Sequence, residues 1–170
     1  MKNIDRIQSK IMSRSAVLRQ AEQWHAAGKR IVFTNGCFDL MHKGHIDYLN
    51  RAADLGDKLV VALNTDASVS KLKGPHRPIQ EESSREWVMA SLGCVAAVTL
   101  FDEETPLALI QKLRPDVLVK GGDYTIDTIV GAEEVIGNGG KVEVIPFLKG
   151  YSTSRLEDKI LRWETEPRKK

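Results

Sequence analysis

Two histidines three residues apart, His42 and His45, follow an Asn35-Gly36 turn in the stretch TNGCFDLMHKGHIDYL, residues 34–49. Three chemistries suit such a pair: metal ligation, packing in a core, or hydrogen bonding to phosphate. Zinc takes three or four ligands in tetrahedral geometry. Cys37 or Asp39 could join the pair, but His25 and His76 stand alone and no second paired cluster occurs. A structural pair in the core is the second reading, although imidazoles at a helix entrance face the ligand side of a sheet. The phosphate reading accounts for more. A helix beginning near residue 44 offers free N–H groups and the positive end of its dipole to an anion. Gly36 carries no Cβ, so the backbone of residues 36–38 can come close to a ligand. His42 and His45, one turn apart, face the same side, with Lys43 between them. Such a constellation can hold a triphosphate and stabilise charge on a phosphorus in transfer.

No other phosphate device competes with it. The chain lacks GxxxxGK[ST], has no GxGxxG after its first strand, and has no GxSxG elbow, so neither a P-loop nor a covalent serine mechanism has support.

The elements that must position these residues follow from hydrophobic spacing. Residues 15–27 carry Val17, Leu18, Ala21 and Trp24 at helical period, stopped by Gly28. RIVFTNG reads as a buried strand. HIDYLNRAADLG reads as a helix with Ile46, Leu49 and Ala53 on one face, and KLVVALNT as a second strand, which together make a βαβ unit. The pattern continues with REWVMASLG (helix), VAAVTLF (strand) and TPLALIQKLRP, a helix with Thr105 as N-cap and Pro106 in its first position. DVLVK (strand), GAEEVIGNGG (helix), KVEVIPF (strand) and SRLEDKILRW (helix) follow. Continuous apolar strands alternating with helices predict a single doubly wound, Rossmann-like α/β domain with a five-stranded, mostly parallel sheet. Ligands then bind outside the carboxyl ends of the strands at the switch in strand order. The segments after the strands, TNGCFD, NTDASV, FDEET, GGDYT and LKGYSTS, are mostly rich in glycine, carboxylate and hydroxyl groups.

Composition narrows the class. The chain has 170 residues, 42% of them hydrophobic, and a net charge of +2, which carries no global nucleic-acid or membrane signature. Two cysteines, Cys37 and Cys94, cannot build a disulfide framework. No apolar run approaches the roughly 18–20 residues of a membrane span, and MKNIDRIQSKIMSRS lacks the apolar core of a signal peptide. The expectation is a cytoplasmic protein with residues 1–14 as an N-terminal extension, 15–163 as the domain and 164–170 as a basic tail.

GCFDLMHKGH resembles the H-x-G-H signature of the nucleotidyltransferase superfamily, shared by cytidylyltransferases and class I aminoacyl-tRNA synthetases. GYSTSRL, Gly150–Leu156, resembles the superfamily's hydroxyl-rich turn before the last helix. NTDASVSKLKGPHRPI, DEETPLALIQKLRPDVLVKGGDYT and VGAEEV strongly resemble the D-glycero-β-D-manno-heptose 1-phosphate adenylyltransferases. In many bacteria that activity is the C-terminal half of a bifunctional heptose kinase/adenylyltransferase; this chain has no kinase half and resembles a stand-alone form. The likeness runs from about residue 15 to about residue 162. It departs from the common pattern at Ser154, where Thr is usual, and Lys43 occupies the variable position of H-x-G-H.

The resemblance implies transfer of AMP from MgATP to heptose 1-phosphate, giving ADP-heptose for lipopolysaccharide core synthesis, and pyrophosphate. It implies His42, His45 and Lys73 as catalytic groups, the last on a mobile loop that also holds Lys71, His76 and Arg77. Gly36, Cys37, Phe38, Asp39 and Gly44 would line the nucleotide, and Ser152, Thr153 and Ser154 would bind its phosphates. Asn64, Asp66, Arg77, Lys120, Gly122 and Asp123 are candidates for the sugar phosphate. Asp66 and Asp123 could meet sugar hydroxyls or Mg²⁺ or instead cap their neighbouring turns, and Arg85 serves either a phosphate or the helix surface. Mg²⁺ is expected to enter through the ATP phosphates, with no protein ligand assigned. The partners are ATP and heptose 1-phosphate, without nucleic acid or membrane; a homo-oligomer fits the general prevalence of dimers. The alternatives are a cytidylyltransferase acting on another phosphorylated sugar or polyol, and a nucleotide-binding module without turnover.

Overall fold

Five runs rich in branched apolar residues build the sheet: β1 (Ile31–Gly36), β2 (Lys58–Asn64), β3 (Val95–Phe101), β4 (Val117–Gly121) and β5 (Lys141–Ile145). Their order is β3-β2-β1-β4-β5 and every neighbouring pair is parallel. The computed structural model describes residues 2–165, with side chains as far as 162, so the basic tail lies beyond the described residues from 166 onward.

The helices are α1 (Asn3–Gln8), α2 (Arg14–Ala26), α3 (Lys43–Ala53), α4 (Asp66–Lys73), α5 (Glu82–Ser91), α6 (Leu107–Leu113), α7 (Ala132–Gly137) and α8 (Thr153–Thr165). They cover both faces of the sheet, and the pleat of each strand divides its residues between two cores. Phe33, Val60 and Ala62 pack with Val17 of α2, with Leu109 and Ile110 of α6 and with Val135 of α7. Val32, Val61 and Leu63 pack with Tyr48 and Leu49 of α3 and with Met89 of α5. The chain runs outward from β1 to β2 and β3, then returns to lay β4 on the other side of β1. The reversal opens a crevice at the carboxyl ends of β1 and β4.

Several elements differ from the sequence reading. DASVSKLK, read as part of a polar loop, is α4: Thr65 caps it by accepting the N–H of Ser68 at 3.2 Å, and Gly74 at φ 98° ends it. Lys71 and Lys73 therefore lie on the last turn of a helix. Only Val69 and Leu72 mark an apolar face in that run, too few for the helical period to show. In α3 the buried face is Gly44, Tyr48, Leu49 and Ala52, while Ile46 is 38% exposed. Pro106 is the N-cap of α6, one residue earlier than its expected place inside the helix. The segment read as an extension is tied to the sheet edge: Ile11 bridges Val98 in parallel, Met12 N–H donates to Val98 O at 2.9 Å, and Val98 N–H donates to Lys10 O at 2.8 Å.

Candidate active site

The two histidines are positioned by the start of α3. His42 is the N-cap, and its Nδ1 accepts the backbone N–H of His45 at 3.3 Å. An Nδ1 used as acceptor leaves the proton of the neutral ring on Nε2. The two imidazoles stack with centroids 3.8 Å apart and planes 15° from parallel. Gly44 permits this packing: a Cβ there would stand 3.1 Å from His42 Cε1, from His42 Nδ1 and from Tyr151 Cβ. His45 Nδ1 is buried without a partner, which leaves Nε2 as its open nitrogen. Phe38, held at φ 45°, meets the His45 ring edge-on at 5.3 Å. Burial pushes the His45 imidazole down to about 4, aided by the charges of His42 and Lys73. Burial also lowers His42. Both rings are therefore neutral donors at neutral pH.

A cleft of about 440 Å³ opens in front of them, walled by the end of β1, the turn into α3, the end of β4 and the segment leading into α8. Twelve of the residues singled out in the sequence line it: Gly36, Cys37, Phe38, Asp39, His42, Gly44, His45, Lys73, Lys120, Ser152, Thr153 and Ser154. Lys120 Nζ donates to Asn35 Oδ1 at 3.3 Å, and burial lowers its pKa. Ser152 Oγ accepts the N–H of Arg155 at 3.2 Å, capping α8.

Several candidates are engaged within the protein, Asp39 among them although it lines the cleft. The Asp39 carboxylate, 2% exposed, accepts the N–H groups of Ile79 and Gln80 and the Nε of Arg77, each at 2.8 Å. Desolvation pushes this carboxyl up, but the N–H groups of Gln80 and Ile79 and the Arg77 guanidinium outweigh it and hold the pKa below the usual range. Asp39 thus offers the cleft no free carboxylate oxygen. Arg77 pairs with Asp39 and with Glu157 of α8 through Nε and Nη1, and its Nη2 is buried without a partner. Arg85 is not on the helix surface and lines neither the cleft nor the cavity beside it. It is 1% exposed and donates to Gln80 O (3.0 Å), Cys37 O (2.9 Å) and Asp66 Oδ1 (2.7 Å), tying the turn after β1 to α4. Asn64 Nδ2 donates to Ser68 Oγ at 3.0 Å, and Asn64 lines an adjoining cavity. Gly122, at φ 121°, donates its N–H to Ile145 O at 3.0 Å, and Asp123 follows it, exposed.

Three aromatic residues of the cleft were not singled out in the sequence. Tyr48 O–H donates to Val119 O at 3.2 Å and lies 2.6 Å from Thr34 Oγ1; burial raises its pKa to about 12. Phe147 is 65% exposed and stands over Gly121, where a Cβ would come within 2.9 Å of its ring. Tyr151 carries Lys43 Nζ 5.6 Å from its ring centroid. The glycine pair in KGGDY is the one sequence feature that hints at such close approach. Among the described residues no group of three or more His, Cys, Asp or Glu side chains could hold a metal ion, and no helix is long and apolar enough to cross a membrane.

A family model described as cytidylyltransferase-like matches residues 33–163. The bifunctional protein HldE of Citrifermentans bemidjiense is 54% identical over 153 residues, 90% of this chain and 31% of that protein. HldE of Caulobacter vibrioides is 55% identical over 147 residues, covering 86% and 30%. The chain thus spans about a third of the length of the curated relatives it matches. Among solved structures, the lipopolysaccharide core biosynthesis protein from Thermoplasma volcanium is 30% identical with a TM-score of 0.58, covering 74% of this chain and 100% of that one. The pantoate-beta-alanine ligase from Francisella tularensis, 16% identical with a TM-score of 0.56 over 92% of this chain and 79% of its own, shares the fold.

Proposed function

The chain belongs to the cytidylyltransferase-like family, and from that premise we propose that it transfers the AMP of ATP to a heptose 1-phosphate. An oxygen of the sugar phosphate attacks the α-phosphorus, the bond from that phosphorus to the bridging oxygen of the β-phosphate breaks, and pyrophosphate leaves. One observation carries this reading: two stacked, neutral imidazoles at a helix N-terminus, with His42 Nε2–H and His45 Nε2 open to a cleft walled by Lys73 and Lys120. Phosphoryl-type transfer needs positioning and charge neutralisation more than proton transfer, and these groups supply both. The choice of sugar rests on the KGPHRPI and KGGDY resemblance. It agrees with the more than 50% identity to HldE proteins and the likeness to a lipopolysaccharide core biosynthesis protein.

In this reading the triphosphate lies across the N-terminus of α3. His42 and His45 donate to its non-bridging oxygens and to the charge that grows on the departing pyrophosphate. Lys73 closes from the end of α4. Ser152, Thr153 and Ser154 present hydroxyls and the N-terminus of α8 to the nucleotide, and the exposed face of Phe147 offers the base a flat apolar surface. Asp39, the one carboxylate among the residues lining the cleft, is spent on the 77–80 segment and offers no oxygen to a resident cation. Magnesium therefore arrives as MgATP, bound through phosphate oxygens and water.

Purified protein, Mg²⁺ and heptose 1-phosphate should release pyrophosphate with ATP well above the rate with CTP. His45→Ala should lower turnover on the order of 10²–10³-fold, as loss of a preorganised donor does elsewhere, with the fold intact by circular dichroism. Release with CTP alone would move the reading to a cytidylyltransferase. ATP binding without release from any sugar 1-phosphate would reduce the chain to a binding module.

A further inference from the structure

The serine-rich turn and α8 stand outside both cores, since neither core includes a residue after Ile145. The bonds that shape the turn are local. Tyr151 N–H donates to Leu148 O at 3.4 Å, Arg155 N–H to Ser152 Oγ at 3.2 Å, and Arg155 Nη1 to Gly150 O at 2.9 Å. Such bonds fix the form of the turn but not its place opposite the histidines. Lys43 over the Tyr151 ring holds the approach to the turn, and both residues are exposed.

The helix itself is tied to the domain by an ion pair. Glu157 Oε1 accepts Arg77 Nη1, and the Nε of the same guanidinium holds Asp39 Oδ2 at 2.8 Å. Asp39 precedes His42 by three residues, so the histidine turn, Arg77 and α8 are joined in series. Thr153 and Glu157, four residues apart, share a face of α8, and both are half-buried. A displacement of Glu157 therefore carries Thr153 with it, and Thr153 lines the cleft beside Ser152 and Ser154. The two ends of the pair are unequal. Arg77 is mostly buried and anchored by Asp39, whereas Glu157 is partly exposed and water can replace its partner at small cost. A nucleotide that needs the docked turn binds in proportion to the fraction of molecules in which α8 is docked.

We propose that Glu157 is a positioning residue: acting through Arg77, it seats α8 so that the hydroxyls of Ser152, Thr153 and Ser154 face His42 and His45, and so sets the affinity for the nucleotide. The proposal rests on the transferase reading above and deepens it, since Glu157 touches neither the nucleotide nor the acceptor.

The test is Glu157→Gln, which keeps the shape and removes the charge. It is titrated calorimetrically with α,β-methylene ATP, which cannot release pyrophosphate, and α8 is followed by backbone hydrogen exchange. An ion pair of this exposure biases docking by about three- to fivefold, so the variant should bind the analogue about three- to fivefold more weakly. Residues 153–162 should exchange faster than in wild type and slow again when the analogue saturates the protein, with the five strands unchanged. Glu157→Gln added to Arg77→Met should cause no further loss of affinity. Unchanged affinity in Glu157→Gln, weaker binding without faster exchange in α8, faster exchange throughout the strands, or a full further loss in the Arg77→Met protein would each overturn the assignment. A wild-type protein that does not bind the analogue would overturn it too. Binding that weakens as expected, combined with no pyrophosphate release from ATP and heptose 1-phosphate by wild type, would sink the transferase reading and leave the positioning role standing.

Discussion

His45 is kept neutral by its place: its ring is packed between His42 and Phe38, with Lys73 nearby. A neutral imidazole can still donate from Nε2, and an arriving triphosphate adds negative charge that favours the protonated ring. The same burial has a consequence for stability. The ring titrates near 6.5 in an unfolded chain and near 4 in the fold, so between those values only the unfolded chain takes up the proton. The stability at stake is fully present above about pH 6.5 and is lost as pH falls toward 4, by roughly 3.5 kcal/mol at most. Urea midpoints at pH 7 and pH 4.5 should therefore fall further for wild type than for His45→Gln. Equal falls would mean that His45 is not what makes the fold acid-sensitive.

The segment between α4 and α5 is fastened at both ends by buried charge. Arg77 joins Asp39, beside the histidine turn, to Glu157 of α8, and Arg85 joins Cys37 O to Asp66 of α4. Truncating one partner of a buried pair leaves the other charge uncompensated, which costs about 3–5 kcal/mol. Asp39 keeps two backbone donors when Arg77 is removed, so Arg77→Met should cost about 2–3 kcal/mol. Glu157 is partly exposed, and Glu157→Gln should cost under about 1 kcal/mol. Chemical denaturation at pH 7 checks the ranking; equal costs would place the stabilising contact at α8 and not at Asp39. This latch marks a limit of sequence reading. The histidines, Gly44 and the serine-rich turn were legible because each is local: a cap, a close approach and a helix start lie within four residues. Apart from Gln80, five residues from Arg85, the partners of Asp39 and Arg85 lie 19 to 48 residues away in sequence, and only the fold brings them together. Arg77, read in sequence as a substrate ligand, and Arg85, read as serving either a phosphate or the helix surface, hold carboxylates and carbonyl groups in the structure. α4 was missed for a related reason, since one buried valine holds it down and its start is set by Thr65 alone.

At the scale of the whole molecule the sheet has two unlike edges. β5 closes one, while at the other β3 is covered by residues from before α2: Lys10 and Met12 bond Val98, and Ile7 and Ile11 pack against the core beside α5. The alternation of apolar runs and helices specified the five strands, their parallel pairing and the crevice at β1 and β4. It said nothing of this edge, because three residues pairing at a single bridge leave no period to detect. An uncovered edge strand presents unpaired N–H and C=O groups to other chains. Deleting residues 1–12 removes two backbone hydrogen bonds and the half-burial of two isoleucines, against the entropy regained by the freed segment. The net loss should be about 1–3 kcal/mol, or roughly 3–10 °C in Tm for a domain of this size. The truncated chain should also self-associate more than the full chain in sedimentation velocity at matched concentration, because β3 is then free to pair. The cleft lies at the carboxyl ends of the strands, away from Val98 in the middle of β3, so ATP affinity should stay within about twofold. A truncated chain with unchanged Tm and unchanged sedimentation would show that the segment rests on β3 without stabilising it.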